Sequence, residues 1–293
     1  SCPSQSTARA RSQPCTPAKL PAGCTIGAAV KHIVSRDNPH FKALKKLCQS
    51  GRERRKTGSV VLDGMHLIES YVQSIGQAEE IIVSESGQRK AEITCYLEKL
   101  ADDTPLTLLA DSLFDELALV ETPCGIMAIA SHPRIPTGLN QDDDAVLLDG
   151  IQDPGNIGSI LRSAAAAGFR QVLLSENCAQ VWSPKVLRAA MGAHFQLVLH
   201  ENADLNAFLG GYCGQAVTTT LAKTASSLYE LELACPVAWV FGNEGQGVRP
   251  ELAESVTCSI RIPMPGATES LNVAAAAAIC LFETVRQRQA LKR

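Results

Sequence analysis

The chain has no C-x-x-C pair, no His/Cys group at zinc-ligand spacing, and no apolar run near the roughly 18 residues of a membrane helix. Its eleven cysteines are odd in number and scattered from Cys2 to Cys280. They read as small buried hydrophobes in a reducing compartment, so a cytoplasmic location is expected, with no disulfide framework, no metal and no membrane partner. Neither G-x-G-x-x-G nor G-x-x-x-x-G-K-[ST] follows a strand-like run, which removes most support for dinucleotide redox chemistry and nucleotide hydrolysis. The neighbourhood of Ser270 lacks G-x-S-x-G and a nearby histidine, which argues against a serine hydrolase.

Net charge is also small, −3 over 293 residues, which by itself argues against non-specific coating of nucleic acid. The charge is unevenly spread. Lys31 to Lys56 holds nine Lys/Arg against Asp37 and Glu53, as a localised anion-binding surface would, and as a solvated helix face also would. Hydrophobic residues at 45% and charged residues at 19% suit a globular chain, and the length favours two compact units.

Residues 1–29 carry Pro3, Pro14, Pro17 and Pro21, no acid and no hydrophobic period, so a disordered leader is expected there. The stretch is basic like an organelle transit peptide, but its prolines interrupt the helix such a signal needs. A native start near Val30 is the other reading. Residues 30–130 alternate helices and strands as a small α/β domain, with helices expected at Pro39–Cys48, Met65–Ile75, Arg89–Leu100 and Ser112–Leu119. Strands are expected at Val60–Leu62, Glu80–Val83, Leu106–Leu109 and Ile126–Ala130, and the basic stretch Gly51–Gly58 reads as a loop. Residues 131–144 form an expected linker.

From residue 145 to 293, short apolar strands alternate with helices, which predicts a parallel sheet covered on both faces. Strands are expected at Ala145–Leu148, Gln171–Leu174, Phe195–Leu199, Ala216–Thr219, Val237–Phe241 and Ser259–Ile262. Helices are expected at Ile157–Ala167 and Pro184–Met191, after Pro250, and from Leu271. Ligands of such sheets bind beyond the carboxyl ends of the strands. Three polar, glycine-rich segments follow strands: Asp149 to Arg162, with Asn156 as the expected helix cap; Phe241-Gly-Asn-Glu-Gly-Gln-Gly247; and Ile262-Pro-Met-Pro-Gly-Ala-Thr-Glu-Ser-Leu-Asn272.

In order and spacing, N-x-G-x-x-x-R (Asn156, Gly158, Arg162), G-N-E-G-x-G and I-P-M-x-G-x-x-E-S-L-N-V resemble the three motifs of the SpoU/TrmH family of RNA 2′-O-ribose methyltransferases. The resemblance spans residues 145–290 and extends more weakly over 31–130. It implies a SPOUT domain with a deep trefoil knot, a smaller N-terminal L30e-like substrate-binding domain, S-adenosyl-L-methionine as cofactor, and a homodimer formed through the C-terminal domain. RNA is the implied substrate, ribosomal RNA ahead of transfer RNA; a non-catalytic ribosome-assembly protein on the same fold is the alternative.

The resemblance places Arg162 nearest the reacting hydroxyl, to steer or accept its proton. Orienting the oxygen and stabilising its developing charge suits a guanidinium better. Asn156, Glu244, Asn272 and Ser270 are the other expected catalytic residues, each with a local role as cap or turn residue as its competitor. Gly242, Ile262, Leu271, Gly247 and Gly266 are expected to line the cofactor pocket, with Gly245 also easing close backbone approach. Arg54, Arg55 and Lys56 are expected phosphate contacts, in a segment where Asp63 replaces the glutamate usual in relatives. Ala274 stands where the family commonly has serine.

Overall fold

In a computed structural model, residues 30–101, 103–118, 122–133 and 138–291 are described. The expected leader lies outside them, as do Leu119 and part of the expected linker.

The first half runs β1 (Lys31–Ile33), α1 (Pro39–Gln49), α2 (Gly51–Thr57), β2 (Ser59–Asp63), α3 (Met65–Ser74), β3 (Glu80–Ser84), α4 (Ala91–Leu97), β4 (Leu106–Leu109), α5 (Asp111–Leu117) and β5 (Ile126–Ser131). The strands form one sheet in the order β1-β4-β3-β5-β2, with β5 antiparallel to both neighbours. Successive strand side chains point to opposite faces. Val61, Ile82 and Met127 therefore meet Phe41 and Leu44 of α1 and Phe114 of α5, while Val60, Leu62, Ile81 and Ala128 meet Ile68 and Tyr71 of α3.

The second half runs β6 (Ala145–Asp149), α6 (Pro154–Ala167), β7 (Gln171–Leu174), α7 (Pro184–Ala190), β8 (Val198–His200), α8 (Leu205–Gly211), β9 (Gln215–Thr219), β10 (Ser226–Ser227), β11 (Val237–Gly242), α9 (Pro250–Ala253), β12 (Cys258–Arg261) and α10 (Val273–Ala290). Its seven strands are all parallel, in the order β10-β12-β9-β11-β6-β7-β8. Both faces are covered, as the apolar strands predicted. Val146, Leu148, Trp239 and Phe241 pack with Ile157, Ile160 and Leu161 of α6, and Leu147 and Val240 pack with Phe208 of α8.

The buried cluster containing the α3 face of the first sheet is the same one that contains the α6 face of the second. At the seam, Tyr71 meets Phe195 edge-on with ring centroids 5.4 Å apart, and its hydroxyl donates to the Ser131 carbonyl at 2.9 Å. Trp182 lies 4.5 Å from the His132 ring and 5.1 Å from that of His194.

Several expected boundaries change for identifiable reasons. The basic stretch is helix α2 rather than a loop, because the Ser50 side chain caps the Glu53 N–H and Gly58 ends the turn at φ 65°. The expected helix from Arg89 is interrupted: Gly87–Arg89 is a single 3₁₀ turn, and α4 starts at Ala91. Phe195 is not in a strand. Met191 (φ 51°) and Gly192 (φ 83°) are successively left-handed and turn the chain into a 3₁₀ turn, Ala193–Gln196, before β8. β1, α8 and β10 were not expected. Asn156 is not the cap of α6; Asp153 is, with Pro154 opening the helix, and α10 starts two residues beyond Leu271 because Asn272 caps it. Of the eight described cysteines, Cys48 and Cys280 are buried, but Cys95, Cys213 and Cys235 are exposed, on a short helix and in connecting segments where no core covers them.

Candidate active site

The register of the central strands sets the site. β6 and β11 pair so that Asp149 stands opposite Gly242, and the first two glycine-rich segments leave the sheet side by side. Asp149 is only 2% exposed. Its carboxylate accepts from the Arg249 backbone N–H at 2.9 Å and from Arg249 Nε at 2.8 Å, tying the end of β6 to the chain beyond β11.

Between Gly242 and Arg249 the chain makes a tight turn. Asn243 and Gly247 exchange backbone hydrogen bonds at 3.0 and 2.8 Å, and Gly247 is left-handed at φ 73°. The Asn243 side chain donates to the Gly150 carbonyl at 2.8 Å and accepts from the Gly245 and Gln246 N–H groups. Gly242 has a steric reason: a Cβ there would stand 2.2 Å from the Gly247 carbonyl carbon, so the turn closes over it only because it is glycine. Gly158 likewise serves packing, since a Cβ would lie 2.3 Å from that of Ala189 on α7.

One residue from each segment enters a single chain of hydrogen bonds. Asn272 Nδ2 donates to Asn156 Oδ1 at 2.9 Å, and Asn156 Nδ2 donates to Glu244 Oε1 at 2.7 Å. Both amide orientations are fixed by their other partners: Asn272 Oδ1 accepts the Ala274 and Ala275 N–H groups, and a carboxylate can only accept. Asn272 thus caps α10 and orients Asn156 at once. Glu244 is held by Asn156 and forms no ion pair with Arg162.

Arg162 lies six residues beyond Asn156, about 9 Å further along the helix and about 120° around it. It is exposed, and its side chain has no hydrogen-bond or ion-pair partner among the described residues. The third segment is open. Pro263 to Leu271 are outside regular structure, make no hydrogen bonds to described residues, and become exposed from Pro265 onward. Ser270 is among them, Leu271 is 37% exposed, and Gly266 has open space where a Cβ would be. Ile262, at the foot of this loop, is half-buried against the core.

Residues 144–282 match the profile of the SpoU rRNA Methylase family, and residues 38–128 match that of an MRM3-like substrate binding domain. The 23S rRNA (guanosine(2553)-2′-O)-methyltransferase of Bacillus subtilis is 32% identical over 258 residues, covering 86% of this chain and 98% of its own length. The chain belongs to the SpoU rRNA methylase family. Among solved structures, an RNA 2′-O ribose methyltransferase superposes with a TM-score of 0.76 at 29% identity, covering 88% of this chain and 99% of its own. An AdoMet-bound rRNA methyltransferase from Sinorhizobium meliloti gives 0.72 at 26%, covering 88% and 98%.

The basic segment of this SpoU chain divides. Arg54, expected at a phosphate, is 8% exposed, and its Nη1 donates to the Leu47 and Cys48 carbonyls at 2.7 and 3.0 Å. Burial lowers its pKa, and its task is to close the end of α1. Arg55 and Lys56 are exposed on α2. Residues that shape the site without having been singled out are Asp149, Asn243 and Arg249. The available signals were a carboxylate ending an apolar strand and an asparagine opening a glycine turn. Among the described residues, no group of three His, Cys, Asp or Glu is placed to hold a metal, and no helix is long and apolar enough to cross a membrane.

Proposed function

We propose that this chain transfers a methyl group from S-adenosyl-L-methionine to a ribose 2′-hydroxyl of RNA, ribosomal RNA in particular. The observation that carries the reading is the hydrogen-bonded union of Asn156, Glu244 and Asn272, one from each family motif, at the carboxyl ends of the central parallel strands.

The chemistry of the third segment fits the cofactor. Main-chain groups from Pro263 to Leu271, uncommitted among the described residues and exposed from Pro265 onward, offer donors and acceptors to an adenosine, and exposed Leu271 offers it an apolar face. Ile262, Gly266 and Leu271 would hold the cofactor from this loop, and Gly242 and Gly247 from the turn beside it. When bound, the cofactor supplies an electrophilic methyl group on a sulfonium.

The protein's remaining work is to align the hydroxyl with that methyl and stabilise the charge that develops as the proton departs. Glu244, an acceptor fixed by Asn156, can receive a ribose hydroxyl's hydrogen bond. Arg162, charged and uncommitted among the described residues, aligns the oxygen and stabilises developing negative charge. Asn272 holds Asn156 in place, and Ser270 lies two residues away in the same open loop. Arg55 and Lys56 would contact phosphates, positioning the strand without reading its sequence.

The reading includes the family's trefoil knot. In its support, β12 lies beyond β9 at one side of the sheet, yet the next element, α10, returns to pack on the core shared by β11 and α6. It also includes a homodimer: Phe282 is exposed on α10, with Ala275 and half-buried Ile279 on the same apolar face. A reducing, cytoplasmic setting agrees with all eight described cysteines being free thiols.

Calorimetric titration with S-adenosylmethionine tests the reading first. Purified protein that binds RNA but not the cofactor would make this a non-catalytic RNA-binding member. Ribose-methylation maps of ribosomal and transfer RNA from cells with and without the gene identify the substrate.

A further inference from the structure

A cleft of about 310 Å³ opens between the two halves, where the end of β2 and the start of α3 face the last turn of α7. Its size falls at the lower end of the range for small-molecule pockets. The apolar lining includes Met65 and Leu187, which are buried, and Met191, which is 47% exposed. Met191 is held in a left-handed conformation at the end of α7. Gly192 follows it, so close to α3 that a Cβ would meet Ser70 at 2.9 Å. A non-glycine residue in that conformation is strained, and such strain concentrates at ligand clamps.

Asp63 and Arg188 both line this cleft. The Asp63 carboxylate makes no hydrogen bond to any described residue, although burial raises its pKa while the Arg188 charge works against the rise. The half-buried Asp63 carboxylate lines the cleft with both oxygens open to a ligand that brings donors. The exposed Arg188 side chain also lacks a hydrogen-bond partner among the described residues, and no ion pair closes between the two. The cleft therefore presents the Asp63 acceptor pair and the Arg188 donor fork, beside Glu92, His66 and apolar surface.

We propose that this cleft reads a guanine base of the bound RNA. The guanine N1–H and exocyclic amine present two adjacent donors to a carboxylate, its O6 accepts from a guanidinium, and its ring lies against apolar side chains. Adenine, cytosine and uracil each lack that pair of adjacent donors on one edge. The inference rests on the RNA-methyltransferase reading and adds a base-specific contact supplied jointly by both halves of the chain.

The four methionines make the test internal. Met65 and Met191 line the cleft, Met127 is buried in the first sheet, and Met264 lies in the open loop after β12. In full-length protein carrying ¹³C-methyl methionine, guanosine 5′-monophosphate should shift the Met65 and Met191 signals saturably. AMP, CMP and UMP, which share its phosphate, should be about tenfold weaker. Asp63→Asn should abolish the preference for GMP, and Arg188→Gln should weaken it. An unshifted Met127 signal shows that each variant is folded. Equal response to all four nucleotides, no response at Met65 and Met191, or unaltered GMP binding in both variants overturns the proposal. S-adenosylmethionine should move Met264 independently. If it does not while GMP moves Met65 and Met191, the cleft stands and the methyltransferase reading falls.

Discussion

Asp149 grips Arg249 through both a backbone N–H and the guanidinium Nε, and the two residues differ sharply in exposure, 2% for the aspartate against 50% for the arginine side chain. The asymmetry has a measurable consequence. Arg249→Ala leaves a buried carboxylate with only the backbone N–H as donor and no countercharge, and should destabilise by about 3 kcal/mol. Asp149→Asn leaves an arginine that water can solvate and should cost about 1 kcal/mol. Urea denaturation of the two variants decides; a larger loss from Asp149→Asn contradicts this account.

Asn156→Asp replaces the amide donor to Glu244 with a second carboxylate, breaking the chain of hydrogen bonds and adding repulsion. Methyl incorporation into RNA should fall by about 100-fold, because misplaced catalytic groups cost on that scale. Cofactor affinity measured by calorimetry should stay within about twofold, since the change is worth little to groups that Asn156 does not touch. Equal losses in both would move Asn156 into the cofactor pocket.

Arg162→Ala should abolish methylation with little effect on cofactor affinity, because its work is placed at the hydroxyl. Arg162→Lys keeps the charge but loses the planar fork and should retain only a small fraction of activity. Unchanged turnover in the alanine variant removes Arg162 from the mechanism.

The basic helix separates by role. Arg54→Ala removes two hydrogen bonds from a charged donor to the end of α1, and should cost about 2–3 kcal/mol of stability. Replacing exposed Arg55 and Lys56 together should leave stability nearly intact and reduce the slope of log affinity against log salt by about 1.4–1.8, as for two lost phosphate contacts to a single strand or a duplex. An unaltered slope would make α2 a solvated surface.

His194 gives a pH signature. It is buried at the seam with its Nε2 2.7 Å from the Val181 carbonyl oxygen, and burial lowers its pKa from 6.5 to about 4. The unfolded chain therefore binds a proton first as pH falls, so the contribution is complete above pH 6.5 and is lost between 6.5 and 4, by about 3 kcal/mol. His194→Gln should lose less stability than the wild type over that interval, read as the change in denaturation midpoint with pH.

The central strands were legible because each is a short apolar run, and the three segments because glycine and asparagine cluster after strands. α2 was not legible: a helix shows in sequence through an apolar stripe, and the only buried side chain on α2 is Arg54. α8 ends in two glycines, and β1 and β10 are too short to show a period. Asn156 has the chemistry of a cap, but Asp153 before Pro154 was the stronger signal, and the amide was left free for partners 88 and 116 residues away. No local pattern encodes such a pairing.

The buried cluster common to both sheets means that the first half is not a hand on a flexible wrist. Tyr71, Phe195 and Trp182 fasten it to the second half, so basic helix, interdomain cleft and strand-end site keep set spacings. On the proposed reading the chain works as a caliper: an RNA would be accepted when its own bend brings the right nucleotides to those fixed points, and the cost of deforming a wrong one would become part of the selection.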